Sequence, residues 1–294
     1  MRARSLLALL GCGALFGLSY VFVRVAAPSV GPVGVTAVRT VVGGGLLWAV
    51  ATARGLHLHR IGWAYVGLGA VSAAVPWSLI ALATARLDAG TSAVVNASSP
   101  VFALLVGSVL DRRRPTATGL LGMTMALGGI AVVMSSRGVG LGPGWQVGLV
   151  AGVIGALVFA VGGFVAACRF AGMPVLVVAA GQQLGAAALL VPAALLLVGS
   201  GLAPRPHPTA HAVVALLLLG VLGSGVAYLL FYWLIEHEGP VRTAVVNLVV
   251  PVSGVVWSAV LLGEPVGWSD AGGVVLTAAG VALVLRPAPL PEVP

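Results

Sequence analysis

The chain has 294 residues, 60% hydrophobic and 7% charged, with a mean hydropathy of +1.12. Soluble domains carry about 25% charged residues, so this chain cannot cover a globular surface with polar groups, and a lipid bilayer is its expected partner. The formal net charge of +8 comes from arginine without any lysine; no basic patch is interleaved with aromatics, which argues against a nucleic-acid partner.

A membrane helix needs about 20 largely apolar residues to cross about 30 Å of hydrocarbon. On that measure the sequence predicts an all-α polytopic membrane protein with ten transmembrane helices, at 5–25, 33–53, 62–84, 88–110, 115–134, 146–168, 174–199, 211–235, 239–262 and 268–286. The links are short; the longest are Gly-rich 135–145 and Pro-rich 202–210. Arg2 and Arg4 before the first apolar run imitate a signal peptide, but nine further spans favour an uncleaved first helix.

Span one holds Cys12, Ser19, Tyr20 and the pair Gly13-xxx-Gly17. Cys12 and Cys168 lie in apolar runs and read as packing residues rather than a disulfide. Similar glycine pairs, Gly148-xxx-Gly152 and Gly181-xxx-Gly185, are expected to let helices approach closely.

Span two carries Arg39 about two turns from its outer end. A charge that deep costs at least about 2.5 kcal/mol on insertion scales and usually faces the bundle interior. Two readings fit it: a counter-charge for a carboxylate or phosphate on a substrate, or a side chain that snorkels to the interface. At comparable depth, span seven has Gln182 and Gln183 instead of a charge. Trp77 in span three, beside Pro76, and Tyr228 in span eight could wall a pocket or simply pack. Tyr232 and the serines Ser98 and Ser99 are weaker candidates, since serines often bond back to their own helix.

Span four contains Ala93-Val94-Val95-Asn96 and then Pro100-Val101; span nine contains Ala244-Val245-Val246-Asn247 and then Pro251-Val252. Asn96 and Asn247 are the only asparagines, and they lie 151 residues apart. Proline has no N–H and clashes with the carbonyl four residues earlier, so Pro100 and Pro251 are helix-break positions that free the carbonyls of Asn96 and Asn247. In hydrocarbon an unsatisfied polar group costs several kcal/mol, so each should face a cavity or a protein partner.

The same shift lays residues 68–134 over 219–285 with 16 identities in 67 positions, including Gly122 over Gly273 and Gly129 over Gly280. A weaker match puts Gly17 over Gly162 and Arg24 over Arg169. The repeat unit is therefore five helices, and an odd count makes the second copy enter the membrane from the opposite side. Such inverted repeats occur in secondary transporters with a site near the midplane. On this reading Asn96 is on the outer side of the midplane and Asn247 on the cytoplasmic side.

Alternate links hold Arg2, Arg4, Arg54, Arg60, Arg112, Arg113, Arg114, Arg169, Arg242 and Arg286 against Arg24, Arg86, Arg137 and Arg205, ten to four. Positive charge favours the cytoplasm, so both termini are expected there.

Two five-helix halves, the Pro-containing fourth helix of each, Gly263-Glu264-Pro265 and the Gly-rich closing helix resemble the EamA family of drug/metabolite transporters. The first half departs from that pattern, with Asp111-Arg112-Arg113-Arg114 where the family often repeats Gly-Glu. The resemblance implies repeats at 1–134 and 146–286, joined by the 135–145 link and followed by a Pro-rich tail at 287–294. It also implies a small organic metabolite as cargo, often exported.

Chemistry of other kinds is poorly supported. Asp88, Asp111, Glu236, Glu238, Glu264 and Asp270 are at predicted helix ends and Glu292 in the tail, so no mid-span carboxylate offers proton coupling. The histidines His57, His59, His207, His211 and His237 have no metal-ligand spacing, and there is no Walker-type loop. No enzyme, cofactor or metal is expected. The reading is a transporter, an exporter of amino acids or related compounds, in a bacterial inner membrane. The substrate-binding residues are Arg39, Trp77, Asn96, Gln183, Tyr228 and Asn247, with Pro100 and Pro251 as helix breaks. A flippase for a lipid or lipid-linked sugar and a non-transporting membrane scaffold or sensor stand as alternatives, and a homodimer stays open.

Overall fold

The structure, a computed structural model, describes residues 3–56, 62–86, 95–110, 116–135, 144–203, 205–263 and 267–284. Among these residues every regular element is a helix, without strands. The Asp111–Arg114 cluster, Glu264, Pro265, His57, His59, most of the 135–145 link and the 287–294 tail lie outside the described residues.

Helix runs from Ala3 to Ala53, interrupted at Gly31 with φ 72° and ψ 161°. That conformation is essentially restricted to glycine, and the following Pro32 bars Gly31 from the helical region. The break divides the stretch into α1 (3–30) and α2 (32–53). Next come α3 (62–86), α4 (Ser99–Leu110), α5 (Ala117–Ser135), α6 (Trp145–Arg169) and α7 (Val175–Gly199). A second Gly-Pro break, at Gly239 with φ 79° and ψ 167°, ends α8 (210–238). Past it a short helical segment (240–244) and a turn at Val245 lead into α9 (Val246–Leu262), and α10 is Trp268–Val284.

Among the described residues, six stretches are long and apolar enough to cross a membrane: Ala3–Val23, Val25–Ala53, Gly62–Ile80, Trp145–Arg169, Val175–Gly199 and Ala210–Ala244. Four shorter apolar helices accompany them, in α4, α5, α9 and α10. Pro100 differs from expectation. It is the second residue of α4, where a missing N–H is tolerated, because Asn96 is separated from α4 by a turn at 97–98. Pro251 does lie inside its helix.

The repeat shift organises the packing. A Cβ on Gly122 would meet the Gly280 carbonyl at 2.7 Å, and one on Gly129 would meet the Gly273 carbonyl at 2.5 Å. Since 122 pairs with 280 and 129 with 273, α5 and α10 run antiparallel. Between these contacts Thr277 Oγ1 donates to the Ala126 carbonyl at 3.4 Å, across a separation of 151 residues. Two equivalent residues touch each other where a two-fold axis passes between the repeats. The third helices cross over in the same sense. Gly69 of α3 packs on the Gln182 carbonyl of α7, and its equivalent Gly220 of α8 packs on Val42 of α2.

These glycines are close-approach positions. Gly129→Val should cost about 1–3 kcal/mol or more, as overpacking does, because the obstructing Gly273 carbonyl oxygen and Thr277 nitrogen, 2.5 and 2.6 Å away, are both backbone atoms. Gly128→Ala, whose Cβ would find only Leu276 Cδ2 at 3.9 Å, should be tolerated. Thermal unfolding of the purified protein compares the two.

Candidate functional site

Both third helices carry a π-helical segment, at Ala70–Ala74 in α3 and Leu219–Val226 in α8. The repeat shift of 151 residues carries the first into the second. Such segments disrupt the i→i−4 ladder and occur often at functional sites. In α3, Pro76 adds to the effect by removing the donor that Ser72's carbonyl would otherwise receive. Tyr228 Oη takes that place, donating to the Ser72 carbonyl at 3.1 Å. In α8, Arg39 Nη2 donates to the Gly223 carbonyl at 3.3 Å. Ser72 and Gly223 are equivalent under the 151-residue shift, so each repeat offers the same carbonyl to a side chain of the other.

Arg39 is 4% exposed, which removes the snorkelling reading. Its Nε donates to Ser224 Oγ at 2.8 Å, and its guanidinium carbon lies 4.9 Å from the centroid of the Trp77 ring. Gln183 Nε2 donates to the Ser224 carbonyl at 2.9 Å, so Arg39 and Gln183 converge on one residue. Among the described residues, ion pairs join His237 to Glu236 and Arg242 to Glu238, and neither involves Arg39. The buried cation is held by hydroxyl, carbonyl and ring, all of them neutral.

Trp77 Nε1 donates to Tyr228 Oη at 2.8 Å, again between residues 151 apart. The two-fold relation therefore passes through this pair as well as through Ala126 and Thr277. Phe16 meets the Tyr228 ring edge-on at 5.4 Å, and Phe159 meets Trp77 at 6.2 Å. Asn96 Nδ2 donates to Tyr20 Oη at 3.3 Å, and Asn247 Nδ2 donates to Ser99 Oγ at 2.6 Å. Ser99 is three residues from Asn96, so Asn247 bonds one turn away from the other asparagine.

The expected residues are therefore distributed over connected contacts. Arg39, Trp77, Gln183 and Tyr228 form one cluster through Ser224 and Ser72. Asn96 joins α1 through Tyr20, and Asn247 ties α9 to α4. Sequence reasoning missed Ser72, Gly223, Ser224, Phe16 and Phe159. The i−4 rule applied to Pro76 would have found Ser72, and the repeat shift then leads to Gly223.

Two openings occur on the helices that carry the cluster, although Arg39, Trp77, Gln183 and Tyr228 line neither. A cleft of about 850 Å³ is bounded by α2, α3, the end of α7 and the start of α8; Ser78 is the one polar side chain among its described lining residues. A cavity of about 170 Å³ at the other end of α7 is lined by Tyr232 and Glu236, among others.

Tyr228→Phe keeps the ring but strands the Ser72 carbonyl and removes the acceptor of Trp77 Nε1. Leaving a buried group unsatisfied costs about 1–3 kcal/mol. Thermal unfolding should show a loss in that range, whereas Tyr20→Phe, which removes only one long hydrogen bond, should cost less.

Two helical repeats meeting at a buried polar cluster define a multi-pass membrane protein of the transporter class. The model of the EamA-like transporter family matches the chain twice, at residues 3–135 and 146–286. The chain belongs to that family and is a membrane transporter. It is 32% identical over 247 residues to an uncharacterized protein of Pseudomonas aeruginosa, covering 79% of this chain and 78% of that one. An uncharacterized transporter of Archaeoglobus fulgidus is 22% identical over 278 residues, covering 92% and 95%. A solved crystal structure aligns with a TM-score of 0.84 at 22% identity, covering 97% of both chains, and shares the fold.

Proposed function

We propose that this chain is a secondary transporter that exports a small organic metabolite by alternating access, with its site at the Arg39–Trp77–Tyr228 cluster between the repeats. The observation that carries the reading is a buried arginine with neutral partners, seated beside a pair of residues that the repeat relates to each other. A substrate carboxylate or phosphate supplies the missing counter-charge. Amino acids and related compounds offer such a group.

The same reading makes all ten apolar helices spans, in two inverted repeats occupying 1–134 and 146–286. The ten-to-four arginine asymmetry puts both termini in the cytoplasm of a bacterial inner membrane. In this arrangement the 850 Å³ cleft opens outward and the 170 Å³ cavity marks the closed inward path. Gln182 and Gln183 occupy the second half-site without charge, so the two halves serve the substrate unequally.

Counterflow in proteoliposomes tests the proposal. Liposomes loaded with unlabelled amino acids or related organic anions should accumulate the labelled compound only when they contain the protein. No accumulation across amino acids, organic acids, nucleobases, sugars and organic cations would leave a scaffold or sensor as the better reading.

A further inference from the structure

Neither Arg39 nor Trp77 lines the apolar cleft, but one layer of side chains links the two. Ala37, Val191 and Ala194 line the cleft, and all three belong to the apolar cluster that also receives Trp77. Ser78, the cleft's one polar side chain among its described lining residues, follows Trp77 in the chain. The Trp77 ring also carries the Arg39 guanidinium, 4.9 Å from its centroid. Trp77 thus stands between residues of the cleft wall and the Arg39 guanidinium.

Arg39 donates two hydrogen bonds, through Nε and Nη2. A guanidinium has five N–H donors, so donors remain for a substrate anion without displacing Ser224 or Gly223. The cleft, by contrast, offers a hydrophilic body only the Ser78 hydroxyl among its described lining side chains. A zwitterionic or polyhydroxylated molecule filling it would lose hydration with little compensation. An alkyl or similar apolar body would gain about fourfold in affinity for each methylene it buries.

We infer that the transported anion is amphiphilic: a carboxylate held at Arg39, with an apolar body that lies in the cleft walled by Val38, Val41, Val191, Ala194 and Leu195 across Trp77. This rests on the proposed site at Arg39 and narrows its substrate class. The cleft wall includes Val41 and Leu195, which are 46% and 68% exposed. An apolar body can therefore reach it from the lipid side as well as from water. Ordinary membrane lipid is the rival occupant, and it requires no contribution from Arg39.

The test is binding of labelled straight-chain carboxylates, from acetate to octanoate, to the full chain in nanodiscs, with empty nanodiscs subtracted. Octanol and octylamine serve as uncharged and cationic probes of equal length. Affinity should rise at least tenfold from butanoate to octanoate, and octanoate should exceed both probes at least tenfold. Ala194→Phe, which fills the cleft, should flatten the chain-length series while acetate binding persists. Leu195→Gln, a milder change at an exposed position, should weaken octanoate in the same direction if Ala194→Phe does not fold. Arg39→Gln should bring octanoate down to the level of octanol.

A flat series with Arg39→Gln still lowering every carboxylate would overturn the apolar-body inference and leave the anion site standing. Equal binding of octanoate, octanol and octylamine, unaffected by Arg39→Gln, would overturn both and mark the cleft as a lipid-filled groove.

Discussion

Replacing Arg39 with glutamine is expected to lower transport of anionic cargo by roughly 10- to 100-fold while folded protein still reaches the membrane. A hydrogen bond to a charged group contributes about 1.5–3 kcal/mol, and about 1.4 kcal/mol is tenfold in affinity. Glutamine can still donate to Ser224, so the local packing changes little. Arg39→Lys keeps the charge but loses the planar fork and the stacking on Trp77, and an intermediate rate is expected. Counterflow with matched carboxylate, neutral and amine substrates provides the measurement. The decisive comparison is between charges. If transport of the amine fell as far as that of the carboxylate, Arg39 would be a packing element, and the counter-charge assignment would fail.

Stability gives an independent reading of the same residue. An arginine paired with a buried carboxylate is strongly destabilised when one partner is removed, because the other charge is stranded. Arg39 has no such partner among the described residues, so Arg39→Gln strands no charge and at most the Gly223 carbonyl. Arg39→Gln should therefore lose more transport than melting temperature. The opposite pattern would mark a structural cation.

The sequence disclosed the repeat because its rarest residues recur at one spacing. The same spacing brought Trp77 and Tyr228 together on paper, and the two side chains are in hydrogen-bonding contact at 2.8 Å. Arg39 could be placed in depth by helical rise, but not in direction. Only the packing of α2 on α8 turns it toward Ser224. What stayed hidden is carried by backbone. A π segment has no letter of its own, and the carbonyls of Ser72, Gly223 and Ser224 are acceptors in any sequence. Pro76 was the available signal. The consequence drawn for Pro100 and Pro251, a freed carbonyl four residues back, is realised in a side-chain bond at Pro76. Pro100 instead begins α4 after a turn.

The glycine pairs were legible as close contacts but not as to partner. Gly181-xxx-Gly185 seats Tyr65 of α3, with a Cβ on Gly181 only 2.6 Å from the ring's Cγ. Gly13 and Gly17 admit α9 through Val249 and Gly254. Each joins elements of opposite repeats, so small residues bear the contacts across which the halves would move. Gly31 and Gly239 have another role, since their backbone angles set the reversals at two Gly-Pro links.

Replacing both Asn96 and Asn247 with alanine is expected to reduce transport at least tenfold while the protein remains folded. Asn247 donates to Ser99 across the repeats at 2.6 Å, and Asn96 holds Tyr20 at 3.3 Å. The repeat shift converts the Asn247–Ser99 pair into Asn96 and Val250, because 99 and 250 are equivalent. Valine has no side-chain acceptor, so the symmetric exchange of halves cannot rebuild this bond on the other side. On the proposed alternating-access mechanism, the Asn247–Ser99 contact would belong to this arrangement alone and bias the protein toward it. A net hydrogen bond of about 0.5–1.5 kcal/mol shifts a two-state balance by roughly twofold to tenfold. Asn247→Ala and Ser99→Ala should shift accessibility in the same direction, and their double-mutant cycle should return the coupling between them. Asn96→Ala should act instead through the orientation of Tyr20. Cysteine labelling from each side of sealed vesicles reads the first effect, and counterflow reads the sum. Wild-type flux in the Asn96→Ala/Asn247→Ala protein would remove both amides from the transport mechanism and leave them as packing residues.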